Sequence, residues 1–324
     1  MQQQMHNNLV LKLLKQRIFN ILKILVIAIS IRAMNGCTAN IGDSAEFHYN
    51  PIKLDHDTNF SKGELFRIQS DQLEEASGIA ASAYSPGHYY VHNDSGNPEE
   101  IYLIDSLGAL KVKILLKGIK NRDWEDICTG PGPEKGKNYI YLSDIGDNQY
   151  IHRKYNIYRF EEPKIPVGKF PKEFIVSDIS KFTFSYPDKV SYNAEAFMTD
   201  KTTGASYIIT KSKYSSVYSL TLPATPLGNI IAQHITDLPI AEVTGADISA
   251  KGDILIKDYT RVYLWKNIHS IPTDSLIKTI PVESSYTIEP QGEGICWDLN
   301  GKSYVTISEV RHLSGQYLIR YYGK

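Results

Sequence analysis

Residues 122–148 read RDWEDICTGPGPEKGKNYIYLSDIGDN, and this stretch contains the repeating unit of the chain. It places an anchor, WEDI, before a Gly/Pro-rich turn, and the apolar run YIYL before a polar cluster, SDIGDN. This order predicts two short antiparallel strands joined by a hairpin, because Gly and Pro favour turns while aromatic and β-branched residues favour strands. Carboxylates stand at both ends of the unit, in WED (residues 124–126) and in SDIGDN (residues 143–148).

Four further segments repeat this plan, with the anchors ASGI, AEAF, GADI and GEGI. The last residues of the five anchors are separated by 48, 70, 51 and 47 residues, and the long gap contains a Pro-rich insertion at 161–174. A period of about 40–50 residues with several short strands per unit is typical of a β-propeller. The sequence therefore predicts an all-β chain.

We expect five four-stranded blades, with a six-bladed ring as the alternative. The last strands of the first four units are expected at LKVKILL, ISKFTFSY, IAQHITDL and LIKTIPV. The fourth of these segments, LIKTIPV, is residues 276–282. The fifth unit reaches Lys324 without a fourth strand. The segment ELFRI at 64–68 would supply it, so that an N-terminal strand closes the ring and leaves no free sheet edge.

The N-terminal segment is expected to direct export. Residues 1–37 contain basic side chains, the apolar run ILVIAISI and then Gly36 before Cys37, the order of a lipoprotein signal with Cys37 as the lipidated residue. An ordinary signal peptide and an uncleaved anchor are the alternatives. We expect a tether at 38–62, a single propeller domain at 63–324, and a location in the bacterial cell envelope, either lipid-anchored to the membrane or periplasmic.

The charge distribution argues against nucleic acid as a partner. The whole chain has a formal net charge of −1, but residues 1–36 carry five basic side chains and no acid, which leaves −6 for the rest. Phosphate backbones are bound by basic patches, which a mildly acidic body does not supply. Cys128 and Cys296 occupy matching contexts, EDIC and EGIC. They are expected at equivalent buried positions, with a disulfide as the alternative.

The topology of a propeller determines where the polar clusters lie. The start of the first strand and the end of the second lie at one face of a blade, because the hairpin between them lies at the other. WED and SDIGDN are therefore neighbours, and all five units should contribute to one acidic mouth of the central channel. Its predicted ligand-binding residues are Asn93, Asp94, Asp126, Asp144, Asp147, Asn148, Asn193, Lys211, Asp247, Lys257 and Glu309.

Glu125, Glu195 and Glu293 share one repeat position, two residues before the end of the anchor. Carboxylates that converge on one axis repel each other, so a divalent cation, with Ca²⁺ favoured, could bind them. Lysines could neutralise them instead, or one carboxyl could stay protonated and act as a general acid. These glutamates are thus the candidate catalytic and metal-binding residues. The structural alternative is that they bond the backbone of the adjoining blade and lock the ring.

The motifs WEDI, SDIGDN, NAEA, TGADI and QGEGI, in this order, resemble a family of exported bacterial β-propeller proteins. The resemblance spans residues 74–309 and implies the fold and an exported location, without implying a reaction. There is a fainter likeness to phytase-type esterase propellers and gluconolactonase-type propellers. These hold a divalent metal in the channel, and none of their ligands is carried over to this chain.

Three functions agree with these features. The first is a metal-dependent hydrolase of an ester, lactone or phosphoester that acts at the acidic mouth. The second is a non-catalytic envelope propeller that binds a small molecule or an envelope protein on the same face. The third is a metal-free glycosidase, which would need two suitably spaced carboxyl groups.

Overall fold

The computed structural model describes residues 49–165, 170, 172–309 and 316–324. One compact unit spans Phe47–Lys324. Cys37 and the predicted signal segment lie outside the described residues, and so do residues 38–48 of the predicted tether. No helix of the described part of the chain is long and apolar enough to cross a membrane.

The chain forms a five-bladed β-propeller, as predicted. Strand β1, Glu64–Arg67, precedes the first blade. Blade 1 contains β2 to β5, at Ala76–Ala81, His88–Asn93, Glu100–Asp105 and Leu110–Leu116. Blade 2 contains β6 to β8 and β10, at Trp124–Pro131, Asn138–Asp144, Tyr155–Glu161 and Ser180–Ser185, while β9 is Glu173–Val176. Blade 3 contains β11 to β13 and β15, at Ala194–Thr199, Ser206–Thr210, Ser215–Leu220 and Gln233–Leu238, while β14 is Asn229–Ile231.

The last two blades complete the ring. Blade 4 contains β16 to β19, at Gly245–Ile248, Ile254–Lys257, Val262–Trp265 and Val282–Ser284. Blade 5 contains β20 to β22, at Gly292–Trp297, Ser303–Ser308 and Tyr317–Tyr322, and β1 is its outermost strand. Glu64 of β1 pairs with Arg320 of β22 in an antiparallel register. The predicted closure of the ring by an N-terminal strand is therefore confirmed.

Two details of the outer edges differ from the prediction. The outer strand of blade 4 is β19, not residues 276–282, because residues Thr273–Leu276 form one helical turn that buries Leu276. The strands β9 and β14 were not predicted. They add fifth strands to blades 1 and 2 by pairing in parallel with β5 and β10, respectively. The end of the Pro-rich insertion thus forms the start of β9, which covers the outer edge of blade 1.

Apolar layers between neighbouring blades form the core. Five clusters of buried side chains in the described residues lie one at each blade interface, for example Trp124 with Ile114 between blades 1 and 2. Cys128 and Cys296 are buried with free thiols, in β6 and β20. Residues of the predicted tether also contact the ring, since the Asp57 amide donates to the Glu283 carbonyl oxygen at 2.8 Å. The domain boundary at residue 63 stays a prediction.

Candidate functional site

A β-bulge in the innermost strand presents the repeated glutamates. The register of β6 with β7 skips between Trp124 and Asp126, so Glu125 has no partner in the ladder. The same skip occurs around Glu195 and Glu293, and around Ser77 in blade 1. A bulge leaves one residue unpaired and changes the direction of its side chain. In blade 4 the register is continuous, because Ala246 pairs with Ile256.

The WED and SDIGDN clusters are neighbours, as the topology argument predicted. Asp144 Oδ1 accepts a hydrogen bond from the Asp123 amide at 2.9 Å, and the Gly146 amide donates to the Asp123 carbonyl oxygen at 3.2 Å. A side-chain carbon at Gly146 would overlap the carboxylates of both Glu125 and Asp123. Any side chain at this position would therefore have to displace the two carboxylates.

Three carboxylates come together at this point of the mouth. One oxygen from each of Asp94, Asp123 and Glu125 lies within 4.8 Å of the others, and this is the only such group of three or more His, Cys, Asp or Glu side chains in the described residues. Glu125 is 6% exposed. Asp123 directly precedes WED and was expected at the mouth with Glu125 and Asp126, but it was not named among the ligand-binding or metal-binding residues.

The electrostatics of this trio are unfavourable without a counter-charge. Burial, followed by the nearby charges of Glu195, Asp94 and Asp123, raises the pKa of Glu125 well above its ordinary value. Burial also raises the pKa of Asp123, while Arg122 and a hydrogen bond from Ser95 oppose that rise. The group therefore either retains protons or binds a cation.

A second polar network crosses the mouth from blade 3 to blade 5. Lys211 Nζ donates to Glu195 Oε1 at 2.6 Å and to the Tyr259 hydroxyl at 2.7 Å. The Tyr259 hydroxyl donates to Glu293 Oε1 at 3.3 Å. Glu195 Oε2 is buried and has no hydrogen-bond partner in the described part of the chain. Tyr259 was missed by the sequence analysis because it lies in the loop between two strands, outside the repeated positions.

Two of these carboxyl groups titrate near neutral pH. Burial raises the pKa of Glu195 to about 8 even though Lys211 opposes the rise, and the nearby Glu293 adds to it. Burial raises the pKa of Glu293 to about 7 against the lowering effect of Lys211 and Lys257. Burial lowers the pKa of Lys211, but Glu195, Tyr259 and Glu293 together outweigh burial, so that the pKa lies above its ordinary value. These groups can therefore exchange protons at physiological pH.

Lys257 occupies the blade 4 side of the mouth and is fully buried. Its Nζ donates to Thr244 Oγ1 at 3.0 Å and to the Gly292 carbonyl oxygen at 2.6 Å. Burial lowers its pKa, while Glu289 and Glu293 oppose that change. Glu289 accepts a hydrogen bond from the Tyr286 hydroxyl at 3.0 Å, and burial raises the pKa of Glu289 to about 7. Glu289 was also missed, because it precedes the repeated motif by several residues.

Asp126 and Asp247 bond to the backbone of neighbouring blades. Asp126 Oδ2 accepts hydrogen bonds from the amides of Phe197 at 3.0 Å and Ala246 at 3.4 Å. Asp247 Oδ2 accepts one from the Trp297 amide at 3.0 Å. These aspartates hold the inner strands together. The described hydrogen bonds of Glu195 and Glu293 go instead to Lys211 and Tyr259.

The polar residues of the SDIGDN loop shape the loop itself. Asp147 accepts hydrogen bonds from the amides of Ile151 and His152 and from the Tyr155 hydroxyl, each at 2.9 Å. Asp144 Oδ2 accepts one from Asn156 Nδ2 at 3.0 Å. This part of the predicted site is therefore used to fold the loop.

Four further predicted residues also have backbone or loop partners. Asn193 Oδ1 accepts from the Asp147 amide at 2.7 Å, and Asn193 Nδ2 donates to Asn148 Oδ1 at 3.1 Å. Asn93 Nδ2 donates to the Gln72 carbonyl oxygen at 2.7 Å, while its buried Oδ1 has no partner in the described residues. The Glu309 amide donates to the Gln291 carbonyl oxygen at 3.0 Å, which places Glu309 at the end of blade 5 beside Glu293.

The three glutamates at the repeat position do not form one compact cluster. Glu125 groups with Asp94 and Asp123, whereas Glu195 and Glu293 belong to the Lys211–Tyr259 network. The mouth thus combines an acidic trio on blades 1 and 2 with a charge-compensated network on blades 3 to 5. The expectation that Glu125, Glu195 and Glu293 bind one ion stays a prediction.

Comparison with known proteins gives distant structural similarity only. No protein-family model matches the chain, and no curated protein matches it. A gluconolactonase from Xanthomonas campestris is similar over 84% of this chain and 88% of its own, with 11% identity and a TM-score of 0.43. The WD40 repeats of RRP9 are similar over 77% of this chain and 67% of their own, with 8% identity and a TM-score of 0.38. The activity has to be argued from the site itself.

Proposed function

We propose that the acidic mouth binds a divalent cation, Ca²⁺ in preference, between Asp94, Asp123 and Glu125, and that the chain hydrolyses an ester, lactone or phosphoester there. The observation that carries this proposal is the approach of three carboxylate oxygens to within 4.8 Å. Oxygens that surround a Ca²⁺ ion at 2.3–2.6 Å are separated by no more than about 5 Å. The observed spacing fits that requirement.

The charge environment favours a cation over other solutions. Glu125 is buried beside two further acids, and Lys211 opposes the rise of its pKa without reversing it. Lys211 is itself bonded to Glu195 and Tyr259, so its charge is already shared. A hard divalent ion with carboxylate and water ligands would offset the remaining repulsion.

The Lys211–Tyr259 network would supply proton transfer. A bound divalent ion lowers the pKa of its water and polarises a substrate oxygen. Glu195 has a pKa of about 8 and can release or accept a proton near neutral pH. Lys211 fixes the orientation of Glu195 through its 2.6 Å contact, and Tyr259 joins Lys211 to Glu293. Burial of these groups limits their contact with bulk water.

The proposal extends to location. The basic and apolar character of residues 1–37, with Cys37 at the end, supports an exported chain that is held at the membrane by a lipid. The substrate would then be a molecule of the cell envelope or its surroundings.

The test begins with cation binding. Calorimetric titration of Ca²⁺, Mg²⁺ and Mn²⁺ into chelator-treated protein is compared with Glu125→Gln, which removes one ligand charge. Glu134→Gln is the matched control, because Glu134 is an exposed glutamate in the hairpin on the opposite face. We expect saturable binding in the wild type and in the control, and strongly weakened binding in Glu125→Gln.

Turnover is then measured with p-nitrophenyl acetate, glucono-1,5-lactone and p-nitrophenyl phosphate. We expect at least one substrate to be hydrolysed with the cation and not with excess chelator. Cation binding without turnover of wider ester, lactone and phosphoester panels would favour the binding propeller. Chelator-resistant hydrolysis of glycosides would favour the metal-free glycosidase, and no cation binding would refute the proposed site.

A further inference from the structure

The face opposite the acidic mouth contains two cavities, and we call it the hairpin face because the turns between first and second strands lie there. One cavity lies on the channel axis and has a volume of about 450 Å³. The other lies between blades 1 and 5 and has a volume of about 310 Å³. Both are lined by Ala81, Asp298 and Leu299, so the two cavities adjoin. Volumes of this size suit small ligands.

Neither cavity of the hairpin face is lined by Asp94, Asp123 or Glu125. Between the inner strands, the Asp126 carboxylate is 1% exposed and accepts amide hydrogen bonds from blades 3 and 4. Asp247, which was predicted at the mouth, lines the axial cavity of the hairpin face. A ligand on this face would therefore not contact Asp94, Asp123 or Glu125.

Arg320 brings a positive charge to the smaller cavity, which Asp298 also lines. Its Nη2 donates to the Tyr89 hydroxyl at 2.6 Å, and its buried Nε has no hydrogen-bond partner in the described residues. None of the ion pairs found among those residues involves Arg320. The guanidinium carbon lies 5.6–5.9 Å from the ring centres of Phe66, Tyr89 and Tyr322. These rings hold the guanidinium in place without neutralising it.

The charges that line the cavity favour a monoanion over a dianion. A carboxylate would accept charge-assisted hydrogen bonds from the Arg320 guanidinium, which has no ion-pair partner among the described residues. Asp298 lines the same cavity, and its side chain accepts hydrogen bonds from the amides of Lys302 and Ser303. A phosphate dianion would leave an excess negative charge next to Asp298, so it is disfavoured.

The axial cavity suits the rest of such a ligand. Leu299, Trp297 and Ala80 supply apolar surface, and Lys201 supplies a polar contact. Lys201 Nζ donates to the Thr129 carbonyl oxygen and to Asp247 Oδ1. An ammonium group has three donors, so one N–H of Lys201 remains for a ligand oxygen.

We propose that the hairpin face binds a small organic monocarboxylate, with its carboxylate at Arg320 and its apolar body directed over Leu299 into the axial cavity. This site is separate from the acidic mouth and does not depend on the proposed hydrolase activity. A propeller with one site at each end of its channel could bind one ligand while acting on another.

The test is a ligand-observed NMR titration with benzoate, with benzyl alcohol and inorganic phosphate as comparison compounds. We expect saturable binding of benzoate, and binding of the other two at least about tenfold weaker, since an ionic hydrogen bond accounts for about 1.5–3 kcal/mol. Arg320→Met should weaken benzoate binding about 10- to 100-fold on the same grounds. Arg67→Met is the control, because Arg67 is an exposed arginine of the neighbouring strand β1.

Two further variants keep the test decisive if Arg320→Met does not fold. Ala81→Leu fills the shared wall of the two cavities and leaves Arg320 unchanged, so it should also weaken benzoate binding while Arg67→Met does not. Arg320→Lys keeps the charge and should retain part of the affinity. Equal binding of benzoate and benzyl alcohol, tighter binding of phosphate, or wild-type affinity in Ala81→Leu would overturn the proposal.

Discussion

The pKa of Glu293 makes the stability of the cation-free protein fall as the pH rises. Burial raises this pKa from 4.5 to about 7 in the folded chain, so the folded state binds the proton more tightly than the unfolded state does. The stabilising effect of that proton is fully present below pH 4.5 and is lost as the pH rises through 7. The sign is opposite to that of a carboxylate held in an exposed ion pair.

The size of the effect follows from the same values. One pH unit corresponds to about 1.4 kcal/mol, so the interval between the two pKa values corresponds to about 3 kcal/mol of unfolding free energy. About 2 kcal/mol of this lies between roughly pH 5.5 and 8.5. Glu293 is 6% exposed, so solvent screening reduces the effect little. Glu195 titrates in the same network, and the two groups therefore lose their protons as a pair and do not contribute independently.

The assay is urea unfolding in the presence of a chelator at about pH 5.5, 7 and 8.5. Glu293→Gln resembles the protonated glutamate and cannot titrate, so it should already be more stable than the wild type by about 1.4 kcal/mol at the lowest pH. This difference should widen to about 3 kcal/mol at the highest pH. Glu134→Gln, which changes an exposed acid on the hairpin face, should follow the wild type at every pH. A wild type whose stability is constant or rises over this range, or a Glu293→Gln profile parallel to it, would refute the reasoning.

Three further predictions concern other parts of the chain. Gly146→Ala should weaken Ca²⁺ binding about 10- to 100-fold without removing a ligand, because the new carbon displaces Glu125 and Asp123. Calorimetric titration measures this change, and an unchanged Ca²⁺ affinity would contradict the prediction. Asp126→Ala should lower the free energy of unfolding by at least about 2 kcal/mol, because it leaves buried amides of blades 3 and 4 unpaired. Asp126→Asn keeps an acceptor oxygen, so its free energy of unfolding should fall by less in the same urea assay. Cys37→Ser should abolish incorporation of labelled palmitate into the exported chain, and labelling that persists would exclude Cys37 as the lipid attachment site.

The five blades could be predicted because the residues that indicate the strands and turns of a blade lie within one sequence repeat. The anchors, the hairpin turns and the apolar runs all agree with one strand order, so the pairing of β6 with β7 follows from residues 122–148 alone. The outer edges could not be predicted in the same way. Outer strands contact fewer neighbours, and a short apolar segment such as residues 276–282 fits a helical turn as well as a strand.

The face of the site could be predicted, but the direction of each side chain could not. Side chains alternate between faces along a strand, and a single bulge changes that alternation. Glu125 and Asp126 are adjacent in the sequence, yet Glu125 reaches the acidic trio and Asp126 bonds across to blades 3 and 4. Tyr259 and Glu289 could not be assigned to the mouth, because residues between strands carry no repeat pattern.

The uneven distribution of bulges explains why the mouth has two unlike halves. Blade 4 has no bulge and no acid at the repeat position, and it supplies Lys257 and Tyr259 instead. Together with Lys211 of blade 3, these groups compensate Glu195 and Glu293. At the acidic trio on blades 1 and 2, Lys211 and Arg122 lower the pKa values of Glu125 and Asp123, yet both stay above their ordinary values, so repulsion remains at Asp94, Asp123 and Glu125. A cation is therefore expected at this one point of the ring and not on its axis.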